Sequence, residues 1–265
     1  MSVRGFRWSP SSINTYLTCP YKFYLQYIEK TPQDHTKWTH YDTLGTSIHK
    51  VCEMFFRELM EPGALDKVSK PTEQFAEMLN RLYVRECSSL PLGLKADARD
   101  ILHSFLRQTV NDFLEDKASF VPYAVEQHIS TTHLDRPVYI IIDAIRRFDD
   151  GDELEDYKTS KSAQVSTEQI VQAATYVYFY QQVYKRTVKS FVFNFLRGPK
   201  RINLHITEDN IAYVLNEIND IQEATQSNSF PRHESWDNCK WCPVSMTCRK
   251  NKAKEMVEAA KTLLR

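Results

Sequence analysis

The chain has 265 residues, with 34 basic and 34 acidic side chains that cancel to a formal net charge of zero at pH 7. A hydrophobic content of 42% is ordinary for a globular protein, and no apolar run approaches the roughly 20 residues that cross a bilayer. This excludes a membrane-spanning protein and argues against one that coats nucleic acid through a global positive field. The N-terminus, MSVRGFRWSPSS, lacks the apolar core of a signal peptide, so we expect a cytoplasmic protein with reduced cysteines.

Helical spacing dominates the first 118 or so residues. A helix is predicted over 9–30, with Ser9 or Ser11 as its cap, and a polar loop follows over 31–43. Further helices are predicted, in chain order, over 44–60, 73–87 and 97–116.

The hydrophobic period then changes. Five segments rich in β-branched and aromatic residues predict strands, with turn signals between them. A helix with Ser166 or Thr167 as cap separates the third strand from the fourth, and another helix covers 207–226. The strand segments are FVPYAVEQHIS, RPVYIIIDAIRRF, ELEDYKTS, VKSFVFNFLR and RINLHIT.

This order predicts an α/β fold with a central mixed sheet flanked by helices. After a helical N-terminal part, the elements follow one another along the chain in the order β-β-β-α-β-β. We expect a single domain over 1–265. Its helical part covers about 1–118, its sheet core about 119–226 and its cysteine-rich tail about 228–265.

Two acids and a lysine stand where apolar segments end. Asp143 follows the run VYIII, while Asp156 and Lys158 lie two apart in EDYK and so face the same side of a strand. Asp143 converges on that face if the two segments pair as a hairpin. Carboxylates on a rigid scaffold suit a divalent cation, and an ammonium can orient a metal-bound water or help to deprotonate it. Taken alone, the triplet fits a surface salt bridge between Asp156 and Lys158 as well.

Two further segments extend this pattern. LGTSIHKVCE places His49 inside a helix after Gly45, and QAATYVYFY places Gln172 and Tyr176 at i, i+4 on one helix face. Each alone also fits ordinary core packing. The order G-x-x-x-H, D, D-Y-K, Q-x-x-x-Y resembles the PD-(D/E)XK nuclease superfamily. The resemblance is to its RecB-like exonuclease branch, which includes the nuclease domains of RecB and AddB and the CRISPR-associated RecB-like exonucleases.

The resemblance runs from about Ser9 to Arg249, and short motifs carry it. It implies a restriction-endonuclease-like fold and a metal-dependent exonuclease that hydrolyses phosphodiester bonds from DNA ends. Recombination, repair or phage DNA processing would be its setting, in the cytoplasm of a bacterium or of a phage-infected host. It leaves open a homo-oligomer and a recombination or adaptation protein as partner. A catalytically inactive DNA-binding module and a structure-specific single-strand endonuclease are the alternatives.

The resemblance also implies roles for the motif residues. Lys158 would serve the attacking water, and Gln172 and Tyr176 would brace the site and meet DNA phosphates. Asp156 stands where glutamate is commoner in the superfamily, and Tyr139 where a glycine often precedes the motif aspartate. The ligands of Mg²⁺ or Mn²⁺ would be His49, Asp143, Asp156 and the carbonyl of Tyr157.

The tail reads DNCKWCPVSMTCRK, which spaces Cys239, Cys242 and Cys248 as C-x2-C-x5-C. Three thiolates are one short of the usual four for a zinc or iron–sulfur site, and Cys19, also followed by proline, is the expected fourth. One distant cysteine plus this spacing resembles the 4Fe-4S cluster of the same nuclease branch, for which we expect a structural role. Structural zinc and four free thiols are the alternatives.

The remaining candidates are isolated side chains. Cys52 and Cys87 fall in helical patterns and are predicted to be buried apolar residues. Glu126 is interpreted as a solubilising charge at a strand edge, with an additional acid near the site as the alternative. Among several basic clusters, Lys161 is the best candidate for a phosphate contact because it directly follows the acid–lysine motif.

Overall fold

The computed structural model describes residues 5–34 and 39–263, and their side chains except those of 39–41 and 263. Within these ranges no helix has the length and hydropathy that a membrane crossing requires. The chain divides into two compact units. The first unit comprises Met1–Lys37, Ser130–Tyr139 and Glu208–Arg265, and the second comprises Trp38–Ile129 and Ile140–Thr207. The single domain over 1–265 stays a prediction.

The helix predicted over 9–30 is interrupted at Cys19. Helix α1 spans Pro10–Thr18, and Ser9 caps it by accepting a hydrogen bond from the Ser12 amide at 3.1 Å. Cys19 is extended, with φ −165°, because the residue before a proline is pushed out of the helical region. Helix α2 then spans Pro20–Phe23 and continues as a π-helix over Tyr24–Ile28. A continuous helix is therefore the wrong prediction.

Helix α3 spans Thr39–Met60, so the predicted loop over 31–43 is wrong at its C-terminal end. Asp42 in the first turn favours an earlier start, because a carboxylate there interacts well with the helix dipole. Residues 35–38 of that loop lie outside the described residues. Helices α4, Pro71–Cys87, and α5, Leu92–Glu115, confirm the other two helices predicted in this region.

The apolar faces of α3, α4 and α5 pack together in the second unit through phenylalanine rings. Phe55 meets Phe75 and Phe105 edge-on, with ring centroids 5.1 and 5.5 Å apart. Buried Ala144 and Tyr157 from the sheet belong to the same core. Aromatic pairs in this geometry are favourable beyond their buried area, so the helices provide a stiff backing for the strands.

The five strands form one mixed sheet in the order β1-β2-β3-β4-β5. β2 and β3 form an antiparallel hairpin, β3 and β4 are parallel, and β4 and β5 are antiparallel. The parallel pair is joined by the crossover helix α6, Thr167–Tyr184, which Ser166 caps. The predicted α/β fold is confirmed. The strands are β1 Ala124–His133, β2 Arg136–Phe148, β3 Gly151–Lys158, β4 Val188–Phe195 and β5 Lys200–Leu204.

The first unit gathers three separate chain segments around buried aromatic and aliphatic side chains. Fully buried Trp8 forms an isolated parallel bridge with Val138, and its indole donates to the His133 carbonyl at 2.9 Å. Helix α7, Glu208–Ser227, buries Ile211, Val214, Ile218 and Ile221. The tail forms α8, Trp236–Lys240, and α9, Ser245–Leu263.

Candidate active site

The β2–β3 hairpin brings the two motif aspartates together. Asp143 and Asp156 adjoin the paired residues Ala144 and Glu155, and both aspartates are buried. Asp143 Oδ2 accepts a hydrogen bond from the Tyr157 amide at 2.7 Å. Because β3 is paired on both sides, its backbone holds these carboxylates in fixed positions.

His49 reaches the same point from α3. Its Nδ1 lies 2.9 Å from Asp143 Oδ1. Burial disfavours a charged imidazole, but the charge and the hydrogen bond of Asp143 outweigh it and raise the pKa of His49 to about 9. The imidazole therefore carries a proton at neutral pH while no cation occupies the site.

Helix α6 holds the second aspartate and the lysine through an amide. Lys158 Nζ lies 2.7 Å from Asp156 Oδ2 and donates to Gln172 Oε1 at 2.9 Å. The Gln172 amide nitrogen donates to Asp156 Oδ1 at 2.7 Å and to the Tyr176 hydroxyl at 3.3 Å. Burial raises the pKa of Asp156, which the charge of Lys158 opposes. Burial also raises the pKa of the Tyr176 hydroxyl, so it acts as a neutral hydrogen-bonding group.

The axial position of α6 along β3 is fixed at a second point. Buried Asp152 accepts from the Tyr180 hydroxyl at 2.6 Å and from Arg186 Nε and Nη2, each at 2.7 Å. Asp152 lies four residues before Asp156 on the strand, about 13 Å. Tyr180 lies eight residues after Gln172 on the helix, about 12 Å. These similar spans let both contacts form together, so the contact between Asp152 and Tyr180 helps to fix where Gln172 meets Asp156.

A cleft of about 870 Å³ is lined by every predicted site residue of the acid–lysine constellation. These residues are His49, Asp143, Asp156, Tyr157, Lys158, Gln172 and Tyr176. Glu126, on the edge strand β1, also lines the cleft and is half-buried, which favours the alternative of an additional acid near the site over a solubilising charge. Lys161 is exposed and lies beyond the lining residues. Five titratable lining residues had no predicted role: Lys50, Glu53, Arg57, Glu86 and His128.

Sequence reasoning missed these residues although three of them carried a signal. Lys50, Glu53 and Arg57 follow His49 at spacings that place them on one face of α3. An acidic residue between two basic residues at this spacing indicates a helix face with ion pairs. It does not indicate whether that face borders a cleft.

The chemistry of the donors fits a divalent cation. Carboxylate, imidazole and carbonyl groups are the usual ligands of Mg²⁺ and Mn²⁺ in proteins. Over 5–34 and 39–263, however, no three His, Cys, Asp or Glu side chains stand arranged as a metal-binding group. The reason is visible at the site: His49 bonds to Asp143, and Asp156 bonds to Lys158 and Gln172. A cation would exchange these internal contacts for its own.

Comparison with known proteins identifies the family. The family model of the PD-(D/E)XK nuclease superfamily matches residues 7–249. The chain belongs to the PD-(D/E)XK nuclease superfamily. Nucleases of this superfamily act on DNA and generally use Mg²⁺ or Mn²⁺.

Two solved structures were found to be similar to this PD-(D/E)XK nuclease, and the first supports its fold. A protein from Eubacterium rectale, described as a putative exonuclease, is 13% identical, with a TM-score of 0.50. The match covers 88% of this chain and 87% of that chain. The structure of SSO0001 is 15% identical over 80% of this chain and 94% of that chain, with a TM-score of 0.34. No curated protein matches the chain.

In this PD-(D/E)XK nuclease the four cysteines of the predicted cluster line one cavity of about 440 Å³ in the first unit. None of these four cysteines forms a disulfide bond, and Cys19 Sγ accepts from the His233 amide at 3.5 Å. Burial raises the pKa of Cys242 and of Cys248. At Cys248 the hydrogen bond and the charge of Arg232 oppose this increase without cancelling it. In contrast, Cys52 and Cys87 are fully buried in the second unit, as predicted.

Proposed function

We propose that this protein is a metal-dependent DNA exonuclease of the RecB-like branch, which hydrolyses phosphodiester bonds from DNA ends in recombination, repair or phage DNA processing. The observation that carries the proposal is the convergence of His49, Asp143, Asp156 and Lys158 in one cleft of a PD-(D/E)XK nuclease. The exonuclease part rests on the order of the motifs. The description of the Eubacterium rectale structure agrees with it.

In this proposal His49, Asp143, Asp156 and the Tyr157 carbonyl hold Mg²⁺ or Mn²⁺. When bound, the cation lowers the pKa of a coordinated water and stabilises the charge that develops on the scissile phosphate. Asp143 is already held in place by the Tyr157 amide, at 2.7 Å. Little rearrangement of the strands is then needed, because only side chains exchange partners.

Lys158 is the group that serves the attacking water. Its ammonium has three N–H donors; Gln172 accepts from one at 2.9 Å, and Asp156 holds the charge in an ion pair at 2.7 Å. These two contacts position the ammonium, and a remaining donor orients the water for in-line attack. Gln172 keeps Asp156 and Lys158 together, and the neutral hydroxyl of Tyr176 supports Gln172 and is available to a DNA phosphate.

We also propose that Cys19, Cys239, Cys242 and Cys248 hold a 4Fe-4S cluster with a structural role. The shared cavity supports this, because thiolates that ligate one cluster must face a common space. The amide of His233 directed at Cys19 supports it as well, since N–H groups that bond to sulfur are a usual feature of such sites.

The deciding experiment compares the wild type with Lys158→Ala on linear DNA in Mn²⁺, with each end blocked in turn. We expect digestion from an unblocked end. The variant should lose about 10²- to 10⁴-fold in rate, the usual contribution of a proton-handling group. Lys67→Ala, at an exposed lysine in the same unit, is the control and should keep full activity.

Three other outcomes have defined meanings. If the wild type digests no faster than Lys158→Ala, the protein is a DNA-binding module without chemistry. Cleavage of circular single strands would make it a single-strand endonuclease. Equal digestion of DNA with both ends blocked and with free ends would contradict an exonuclease.

A further inference from the structure

One wall of the cleft carries two cations for which the hydrolytic chemistry has no role. Lys50 and Arg57 lie on α3 with Glu53 between them, and at 3.6 residues per turn the three share one helix face. Lys50 Nζ donates to Glu53 Oε2 at 2.8 Å, and Arg57 Nε donates to Glu53 Oε1 at 2.6 Å. All three line the same cleft as the motif aspartates.

Burial distinguishes this trio from an ordinary surface ion pair. The Glu53 side chain is 8% exposed, whereas those of Lys50 and Arg57 are 48% and 52% exposed. Burial favours a neutral Glu53, but the hydrogen bonds and charges of its two partners outweigh it and lower the pKa of Glu53. The carboxylate is therefore a charged, buried anchor, and the trio presents a net charge of +1 to the cleft.

The anchored cations retain donors for a ligand. Among the described residues the structure gives Lys50 one acceptor, Glu53. It gives Arg57 two, Glu53 and the Val125 carbonyl at 3.4 Å. An ammonium has three N–H donors and a guanidinium five, so each side chain can bind an anion without releasing Glu53. Because the anchor already restricts both side chains, less conformational entropy is lost when an anion binds.

Two other acids that line the cleft, Glu86 and Glu126, weaken this field only in part. Glu86 forms an ion pair with Arg85 at 2.7 Å, outside the trio. Burial raises the pKa of Glu126, and the neighbouring charges of Asp143 and Glu53 raise it further. Glu126 therefore carries its negative charge less readily than an exposed glutamate does.

We propose that Lys50 and Arg57 form a backbone subsite, which binds phosphates of the DNA strand beside the scissile position. The proposal rests on the proposed function, since the cleft must hold DNA. The two residues are seven apart on the helix, but their charged groups bond to the two oxygens of one carboxylate, at 2.8 and 2.6 Å. The cations therefore lie close together, within reach of adjacent phosphates of one strand. Contacts to phosphates carry no base information, so the subsite binds DNA without regard to sequence.

The test measures binding in the absence of cleavage. Fluorescence anisotropy follows a labelled oligothymidylate at increasing KCl, with a chelator present to prevent metal-dependent hydrolysis. Each phosphate contact on a single strand contributes about 0.7 to the slope of log K against log salt. Lys50→Gln/Arg57→Gln should therefore bind more weakly than the wild type and show a slope smaller by about 1.4.

Two further variants test whether the loss of binding comes from the subsite itself, from the change in net charge or from impaired folding. Lys67→Gln/Arg81→Gln removes the same charge from exposed positions of the second unit outside the cleft lining, and should keep the wild-type slope. The triple variant Lys50→Gln/Glu53→Gln/Arg57→Gln leaves no buried carboxylate unpaired, so it should fold even where the double variant fails. It should show the same decrease in slope and a smaller loss of affinity, because no unpaired Glu53 carboxylate remains to repel the phosphates.

Each outcome of these binding measurements supports or overturns the subsite. The subsite is overturned if the Lys50 and Arg57 variants keep the affinity and slope of the wild type. It is also overturned if Lys67→Gln/Arg81→Gln loses as much affinity and slope as they do. A wild type that binds no oligonucleotide at low salt overturns it as well. A wild type that shows the expected slopes but digests no DNA in Mn²⁺ supports the subsite and overturns the nuclease proposal. In active protein, the double variant should raise KM with kcat retained, the sign of lost uniform binding.

Discussion

His49 and Asp143 hold a proton between them that a bound cation must displace. The Nδ1–Oδ1 contact of 2.9 Å joins an imidazole to a buried carboxylate, and the pKa of His49 rises from 6.5 to about 9. A metal binds only the deprotonated imidazole. Below pH 9 the free protein carries the proton and the metal complex does not, so affinity for the metal increases as pH rises towards 9.

We therefore predict that the affinity for Mn²⁺ rises with pH between 7 and 9, by up to about tenfold per unit. Isothermal titration calorimetry in buffers of different ionisation enthalpy measures both the affinity and the proton released. His49→Gln should bind Mn²⁺ more weakly and lose this pH dependence. The same dependence in His49→Gln would mean that another group supplies the proton.

The same contact has the opposite effect on the metal-free fold. A pKa raised above its ordinary value stabilises the native state below pH 6.5, and this stabilisation disappears as pH rises through 9. Thus alkaline pH weakens the free protein under the conditions in which it strengthens metal binding. Metal removal should destabilise the protein more at pH 9 than at pH 7.

Single residues show how far a motif can predict a site. The order of the motifs indicated that His49, Asp143, Asp156 and Lys158 belong together, and the structure places them in one cleft; their roles stay predictions. Glu126 could not be predicted in the same way. A single acidic residue in a strand gives the same sequence pattern at a solvent-exposed edge as on the wall of a cleft. Only the tertiary fold distinguishes the two positions.

The contact between α6 and β3 is the element on which the spacing of the site depends. Two contacts about 12 to 13 Å apart, Asp152 with Tyr180 and Asp156 with Gln172, fix the helix along the strand. Without the first, α6 can slide or tilt and carry Gln172 away. Displacements of about 1 Å can reduce a rate by 10²-fold.

Tyr180→Phe removes the hydroxyl while Arg186 still pairs with Asp152. We expect kcat on linear DNA to fall by about tenfold or more with KM unchanged, because Gln172 and Lys158 lose alignment while the DNA contacts stay. Steady-state digestion in Mn²⁺ measures both constants. Tyr178→Phe deletes a hydroxyl from the same helix, away from Asp152, and is the control.

The stability of each variant separates positioning from folding. Loss of a hydrogen bond to a charged group costs about 1.5 to 3 kcal/mol, so Tyr180→Phe should also melt at a lower temperature. Assays well below that temperature remove this effect. A variant that is less stable but fully active there would show that the contact only supports the fold.

The local sequence predicted the bounds of helices and strands better than it predicted how these elements pack against one another. The bounds of β2 equal the predicted segment 136–148, because an apolar run with a turn on each side needs no further context. The break at Cys19 had a local signal in Pro20, which recurring aromatic residues obscured. The position of α6 along β3 had none, since Asp152 and Tyr180 are 28 residues apart and their contact is tertiary.

At the scale of the whole molecule, the first unit is built from distant parts of the chain. Cys19 and Cys239 are 220 residues apart in sequence, yet both line its cysteine cavity. Holding such distant segments together costs loop-closure entropy. A cluster bound by four thiolates would offset that cost, which agrees with the structural role that we propose for it.

Anaerobically purified protein should be brown, with broad absorbance near about 400 nm, as thiolate-ligated iron clusters show. Cys248→Ser should lose the colour and melt several degrees lower, because binding of a group to the native state alone stabilises it. Met246→Ser changes an exposed residue of the same segment and is the control. Colourless wild type with stoichiometric zinc would replace the iron–sulfur proposal by a zinc site.

The turn between β2 and β3 restricts how this nuclease can diversify. A methyl group at Gly151 would lie 3.1 Å from the Thr187 carbonyl, and the backbone there has a φ of 141° that other amino acids rarely adopt. The adjacent residue anchors α6, so a bulkier residue would shift the hairpin that delivers both aspartates. Among functional descendants of this chain, glycine at 151 should be as invariant as the acids themselves, although it lies outside the lining of the cleft.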